Sequence, residues 1–383
     1  MRYMILGAGM QGRACAFDML RNPSVEEVLL ADASEAMLAS AKKFLKSKKA
    51  RFVKADASKP AAVAKLAKGR STLVSCVPYF FNLPLAKAAL AAKVHFVDLG
   101  GSTAIVLKEL ALDKAAMKAG VGIVPDVGLG PGMTNIIAAH AIASLDVADE
   151  VLIRDGGLPQ DPLPPMNYLL TFSEHGLINE YVAEGTALKD GKLVKVMGCS
   201  EVEPIDLPAP LGRCEAAHAA GGLSTMAYTF AGKVRALDNK FIRYPGHMAV
   251  INAMNAMGFF DQRPVKVGKA ELAPRALSAV LFRNHFDRPG EKDLVVIRIT
   301  ARGTKDGRPA EVVYDMTDYY DEKNAMTAMV RTTGFPASIV AQMLADGRVK
   351  PGAKPVELCV PADAFFAEMK ARGFNLCRRM SML

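Results

Sequence analysis

The stretch Gly7-Ala8-Gly9-Met10-Gln11-Gly12 follows the short apolar run Tyr3-Met4-Ile5-Leu6 and precedes a segment, Arg13 to Leu20, with helical character. A strand, a glycine turn and a helix in this order leave the first N–H groups of the helix aimed at a pyrophosphate. Gly7 permits the tight turn, Gly9 lets phosphates approach the backbone, and Gly12 lets helix lie close on strand. Glu27-Val-Leu-Leu-Ala31 reads as a second strand ending at Asp32. A carboxylate there accepts hydrogen bonds from both hydroxyls of an adenosine ribose and repels a 2′-phosphate. No arginine follows in Asp32-Ala-Ser-Glu-Ala36, so the pattern predicts NAD rather than NADP.

Outward from this turn, strands predicted at 2–6, 27–31, 51–55, 71–77, 94–97 and 121–124 alternate with helices near 11–21, 34–47, 59–68, 82–92 and 104–119. Such alternation builds a doubly wound parallel sheet, an α/β Rossmann domain, whose ligands sit at the carboxyl ends of the strands. The residues just past each strand are therefore cofactor candidates: Gly7, Gly9, Met10, Gln11, Gly12 and Asp32, then Asp56, Cys76, Val77, Pro78, Gly100 and Gly130. Near residue 130 the pattern changes. Segments 148–154, 167–172, 187–196, 201–206, 293–303 and 308–317 read as strands of a mixed or antiparallel sheet, with helices at 175–183, 246–258 and 275–284. Residues 323–346 and 361–371 read as helical. The expected division is a domain over 1–130, joined by the C-terminal helices of about 323–383, and a second α/β domain over 131–322.

The chain has 383 residues, half of them hydrophobic, and a formal charge of +9. No apolar run reaches the roughly 18 residues of a membrane span, and the first strand begins at the N-terminus, so neither a membrane partner nor a targeting segment is expected. Six scattered cysteines, with no Cys-x-x-Cys pair, fit a reducing, cytoplasmic setting and no metal site. The one basic cluster, Lys42-Lys43 to Arg51, falls on a helix and its exit and reads as a solvated face, not a nucleic-acid patch.

A second run is more specific than the glycine turn. Val124-Pro-Asp-Val-Gly-Leu-Gly-Pro-Gly-Met-Thr-Asn135 resembles a signature of the saccharopine dehydrogenase-like family. The resemblance continues through Asp98-Leu-Gly-Gly101, Gly156-Gly-Leu-Pro-Gln160, Asn167-Tyr168, Gly176-Leu-Ile-Asn-Glu-Tyr181, Gly221-Gly-Leu-Ser-Thr225, Ile242-Arg-Tyr-Pro-Gly-His247 and Arg331-Thr-Thr-Gly-Phe-Pro336. Within the family, the segments from Gly156 to Tyr181 and around Arg243 to His247 are closer to lysine 6-dehydrogenases than to saccharopine reductases. That resemblance implies NAD-dependent oxidation of the ε-carbon of L-lysine, releasing ammonia and a semialdehyde, allysine, that cyclises. It also implies a homodimer whose second domain binds substrate. Saccharopine, with three carboxylates, is the alternative substrate, and Arg213, Arg235 and Arg243 are the cations available for it. An NAD-binding sensor without catalysis is the other alternative.

Oxidising an amine carbon requires a neutral amine, an aligned C–H bond and an activated water, so a carboxylate or imidazole in reach serves as base. Asp126 is the best-placed carboxylate, either pairing with the ε-ammonium or bracing the glycine turn. His247 and Tyr244 are the candidates for hydrogen bonding or proton relay, against a purely local role. Arg243 is the natural fork for an α-carboxylate, against an ordinary salt bridge. Thr225 and Tyr228 are the candidates for lining the substrate site, and Ser173-Glu174 reads as a helix cap.

Overall fold

The computed structural model describes all of residues 1–383. By contact clustering it divides into two compact units. The first comprises Met1–His140, Ser224–Met226 and Val330–Phe374, and the second Ala141–Leu223, Ala227–Met329 and Asn375–Leu383. The C-terminal return to the first unit is thus narrower than expected, because residues 323–329 and 375–383 go with the second. The short insertion Ser224–Met226 was not foreseen.

In chain order the first stretch forms β1 (Arg2–Leu6), α1 (Met10–Arg21), β2 (Glu27–Asp32), α2 (Glu35–Leu45), β3 (Ala50–Lys54), α3 (Pro60–Ala67), β4 (Thr72–Ser75), α4 (Asn82–Ala92), β5 (His95–Asp98), α5 (Thr103–Leu110), α6 (Asp113–Ala119), β6 (Gly122–Val124) and α7 (Met133–Ala143). With the late strand β17 (Gly352–Ala353), these strands make a parallel sheet of order β17-β6-β5-β4-β1-β2-β3. The order reverses direction between β1 and β4, the switch point where α/β sheets bind ligands. Tyr3 to Leu6, Leu73, Val74, Phe96 and Ile123 are fully buried, which is why their runs are apolar without alternation. The helix expected over 104–119 is two helices. Asp113 turns away to accept the Ala353 amide at 2.9 Å and the Lys354 ammonium at 2.8 Å, so a new helix starts there.

The second stretch forms β7 (Val147–Pro159), α8 (Glu174–Val182), β8 (Glu184–Lys189), β9 (Lys192–Met197), β10 (Glu203–Leu207), β11 (Gly212–His218), α9 (Met226–Phe230), β12 (Ala236–Arg243), α10 (His247–Ala256), β13 (Val265–Val267), β14 (Ala270–Leu272), α11 (Pro274–Phe286), β15 (Asp293–Lys305) and β16 (Arg308–Tyr319). After it come α12 (Ala328–Ala345), β17, α13 (Val356–Cys359), α14 (Ala362–Ala371) and β18 (Cys377–Met382). The large sheet is mixed, of order β10-β11-β12-β7-β15-β16-β18, with β12 and β7 parallel and the β8–β9 hairpin paired onto β12. Two strand expectations need correction. Residues 167–172 are irregular, because Asn167 takes a left-handed conformation (φ 51°) and drops Tyr168 and Leu169 into the core. Residues 187–196 are two strands, turned at Asp190-Gly191 with φ of 50° and 73°. No helix is long and apolar enough to cross a membrane.

Candidate active site

The glycine turn separates two kinds of requirement. A Cβ at Gly7 (φ 104°) would come within 2.5 Å of the Cys76 carbonyl oxygen, and one at Gly12 would overlap the Gly7 carbonyl. Those two glycines are demanded by the protein's own packing. A Cβ at Gly9 would meet nothing within 4 Å, so the fold itself does not need glycine there. Gly9 is also the N-cap of α1 and offers no side chain to the N–H groups of the first turn. An anion laid against these groups accounts for both features, so the turn fits a pyrophosphate. The Asp32 carboxylate accepts the Ala8 amide and the Ser34 amide, each at 2.7 Å, and so ties the glycine turn to the start of α2. Each oxygen keeps a lone pair for a ribose hydroxyl.

Other expected cofactor contacts are placed less directly. Asp56 spends a carboxylate oxygen on the Ser58 amide and hydroxyl, at 2.9 and 2.7 Å, bracing an exposed turn. Cys76 packs its backbone against Gly7 across the switch point, and burial pushes its thiol up to about 12, leaving it unreactive. Val77 and Pro78 lead into a short 3-10 turn over Tyr79–Phe81. Met10 is exposed, while the Gln11 Oε1 is buried without a hydrogen-bond partner. Gly130 lies in a loop closed by the Gly128 amide donating to the Pro131 carbonyl at 3.0 Å. Gly100 (φ 73°) has a different role from the expected one: a Cβ there would overlap the Asp126 carboxylate.

That carboxylate is the centre of a buried acid cluster at the carboxyl ends of β5 and β6. Asp126 stands in the left-handed region (φ 61°), which aspartate tolerates better than most residues. Ser224 donates its hydroxyl to Asp126 Oδ2, and Thr103 donates to Ser224 Oγ at 3.3 Å, giving a hydroxyl chain that ends on the carboxyl. Asp126 Oδ1 has no partner. Asp98 accepts the Gly100 amide at 2.7 Å and the Asp126 amide at 3.2 Å, and its charge acts on Glu109. Burial drives Glu109 far upward, with Asp98 and Asp126 adding repulsion. Burial, then the Asp98 charge, pushes Asp126 up to about 8. Thr225, next to Ser224, donates to Glu357 Oε2 at 3.1 Å. The chemical outcome is a carboxyl that holds its proton near neutral pH and is linked by hydroxyls to Thr103.

In the second unit the expected substrate residues are engaged with partners in their own unit. Arg243 closes β12 on the inner face, where it lies over the rings of Phe241 and Tyr168 at 4.6 and 5.0 Å. Its guanidinium donates to Glu180 Oε2 at 2.9 Å and to the Ile242 carbonyl at 2.8 Å. It is a buried cation paired with a part-buried carboxylate, not a free fork. Its Nε and the Tyr168 hydroxyl lack partners, so this box is charge-balanced without being fully hydrogen-bonded. His247 contacts the Tyr181 hydroxyl through Nε2 at 2.8 Å and the Met166 carbonyl through Nδ1 at 3.1 Å. Burial, then Arg243, lowers it to about 3, so it is neutral and is no proton relay at physiological pH. Tyr244 donates to the Pro159 carbonyl at 3.0 Å, and Tyr228 is an exposed residue of α9. Arg235 is also occupied, by Asp149 at 2.9 and 3.0 Å. Ser173 caps α8 as expected, accepting the Gly176 amide at 3.0 Å.

Sequence reasoning marked Asp98 by its place at the end of a strand, without a role, and left Glu109, Ser224 and Thr103 out of the site. The signal for Glu109 was an acid three residues after Val106 on the buried face of α5. Ser224 lay inside the run Gly221–Thr225, but nothing in the sequence pointed to its partner, 98 residues away.

A parallel sheet of this order, with a glycine turn at its switch point and a mixed-sheet unit in the same chain, defines a two-domain nicotinamide-dinucleotide-binding protein. Residues 3–124 match the family model of the saccharopine dehydrogenase NADP binding domain, and residues 128–374 that of the saccharopine dehydrogenase C-terminal domain. The chain belongs to the saccharopine dehydrogenase family. It is 22% identical over 426 residues to the mitochondrial alpha-aminoadipic semialdehyde synthase of Bos taurus, covering 91% of this chain and 44% of that protein. It is 26% identical over 165 residues to the NADP-dependent, L-glutamate-forming saccharopine dehydrogenase of Saccharomyces cerevisiae, covering 42% of this chain and 36% of that one. The chain thus spans less than half the length of the bovine protein. The solved apo structure of the L-glutamate-forming saccharopine dehydrogenase from Saccharomyces cerevisiae shares the fold, with a TM-score of 0.81, 18% identity and 99% of each chain covered.

Proposed function

We propose that this protein oxidises the amine-bearing carbon of an amino acid with NAD, and that the substrate is the ε-amine of L-lysine. Lysine, NAD+ and water give allysine, ammonium, NADH and a proton, and allysine cyclises to piperideine-6-carboxylate. NAD, held by the glycine turn and Asp32, supplies the hydride acceptor. The observation that carries the reading is the proton-holding Asp126 at the end of β6. A lysine ammonium must lose a proton before hydride can leave its carbon, and the ionised form of Asp126, a carboxyl raised to about 8, takes that proton and returns it at little cost. Because Asp126 is buried, the Ser224 and Thr103 hydroxyls are its route outward.

Asp32 and the absence of a nearby arginine in 33–36 support NAD over NADP. Lysine is supported by the sequence runs Gly156–Tyr181 and Arg243–His247, and by the state of the arginines. A substrate with three carboxylates asks for several unpaired cations, whereas Arg243 and Arg235 are committed to Glu180 and Asp149. Saccharopine is the second reading, favoured by the names of the family models and relatives. The test is purified protein with L-lysine or saccharopine, each with NAD and NADP, followed by absorbance of the reduced nicotinamide. Turnover with lysine and NAD is expected; turnover with saccharopine alone overturns the substrate assignment.

A further inference from the structure

Residues 33–36 supply no cation for a 2′-phosphate, but the fold brings one in from the neighbouring strand. β2 and β3 run parallel with Asp32 opposite Lys54, and the Ala55 amide donates to the Asp32 carbonyl at 3.0 Å, which fixes this register at the carboxyl edge of the sheet. The two residues therefore stand one strand spacing apart, about 4.8 Å between backbones. The Lys54 side chain turns toward the start of α2, where its ammonium donates to Glu35 Oε1 at 2.9 Å. Glu35 is the first residue of α2, and Ser34 is the cap, its hydroxyl oxygen accepting the Met37 amide at 3.3 Å. The hydrogen bond from Lys54 lowers the Glu35 carboxyl, which keeps it ionised. Both side chains are exposed, and an exposed ion pair contributes little to stability. The fold therefore has small need of a cation held on an acid at this edge.

We infer that Lys54 is a 2′-phosphate-binding cation held out of use by Glu35, so that the Glu35–Lys54 pair, together with Asp32, decides between NAD and NADP. The inference rests on the reading of the glycine turn and Asp32 as the dinucleotide site. There the adenosine ribose hangs on the Asp32 carboxylate, and whatever its 2′ oxygen carries lies over the first residues of α2. Three charged side chains, from the ends of β2 and β3 and the start of α2, frame that position: Asp32 and Glu35 against Lys54. Two negative charges against one positive tolerate a hydroxyl and repel a phosphate of about −1.5 to −2. Without Glu35 the charges balance, and the ammonium is free for a charge-assisted hydrogen bond. The Ser34 hydroxyl caps α2 as an acceptor and keeps its proton to donate to the same phosphate. Arg13 does not compete, because its guanidinium donates to the Ser40 hydroxyl at 3.0 Å and lies over the Phe44 ring at 5.8 Å.

Fluorescence titration of the full chain with NADH and with NADPH, in the absence of substrate, tests this. The parent is expected to bind NADH more tightly. Glu35→Gln should tighten NADPH at least about threefold, the scale of one exposed charge, and shift NADH less than about twofold because Asp32 is untouched. Glu35→Ala, which removes the acid without supplying an amide, should give the same gain. Lys54→Met in the Glu35→Gln background should abolish the gain, Lys54→Arg should keep it, and added salt should shrink it. Melting temperatures should match the parent's throughout, since neither side chain is packed. Unchanged NADPH affinity in both Glu35 variants overturns the inference, while their binding of NADH leaves the dinucleotide site standing. A gain that survives Lys54→Met overturns it as well. A parent that binds neither dinucleotide overturns the reading of the site, and the inference with it.

Discussion

Around Arg243 a buried cation lies against Glu180 and between aromatic faces, whereas around Asp126 buried acids press on one another with backbone amides and hydroxyls as their donors. Both interiors are polar, and both sit at the ends of strands the sequence marked as functional. They differ in charge balance. In the first, attraction offsets desolvation, and each ionisable group is locked in one state: Arg243 charged, His247 neutral. In the second, backbone amides and the Ser224 hydroxyl offset desolvation only in part, so Glu109 and Asp126 hold protons. A balanced interior supports a fold; an unbalanced one stores a transferable proton.

The largest effect expected is on the balanced side. Arg243→Met leaves the part-buried Glu180 carboxylate without its partner, and losing such a charge-assisted hydrogen bond costs about 1.5–3 kcal/mol. Urea denaturation should show that loss, and Arg243→Met combined with Glu180→Met should recover most of it. A loss in the single variant too small to measure would mean that water reaches the pair and that Arg243 is available to a ligand after all.

Asp126→Asn sharpens the other side. The amide cannot take up a proton, so turnover should fall about 10²-fold or more, while the fold survives. The parent's stability should also depend on pH through this group. The Asp126 carboxyl has an ordinary value of 3.8 and stands at about 8 in the folded chain. Between these the native state keeps a proton that the unfolded chain has released, so stability falls as pH rises from about 4 to about 8 and levels off above. Melting temperatures from pH 5 to 9 should therefore decline more steeply for the parent than for Asp126→Asn. Parallel curves would show that Asp126 is ionised throughout.

The first unit was readable because parallel strands buried on both faces are written as apolar runs, and the residues just past them are glycine or aspartate. The second was less so, for a reason visible in β12. Asp238-Asn239-Lys240 looks like a turn, yet it is the middle of a strand. Its polar side chains are matched by Arg154, Asp155 and Glu203, residues far away in sequence. β18, exposed along its whole length, carries no alternation to read. The site followed the same division. Asp126 was legible from its position after a strand, but Ser224 and Glu109 take their meaning from pairings that only folding creates. Arg243 and His247 misled because a motif reveals residue type and not the partner already waiting for it.

For the cofactor side, Asp32→Ala removes charge-assisted hydrogen bonds worth roughly 1.5–3 kcal/mol, or about tenfold or more in NAD affinity. NADP affinity should fall less, because a source of repulsion disappears with the carboxylate. The structure adds a control. Asp32 also holds the Ala8 and Ser34 amides, so a merely structural role would weaken both cofactors equally in a fluorescence titration.

The smallest effect tests the correction itself. Tyr244 lies next to Arg243 in a motif that reads as substrate-binding, but its hydroxyl donates to the Pro159 carbonyl at 3.0 Å and so pins the end of β7. Tyr244→Phe keeps the ring and its packing and removes that one bond. The bond is part-buried, and the cost should stay within about 0.5–1.5 kcal/mol of stability. The substrate constant and turnover should be unchanged. A raised substrate constant with unaltered melting would place the hydroxyl on the substrate, and the motif's first reading would then hold where the resting geometry speaks against it.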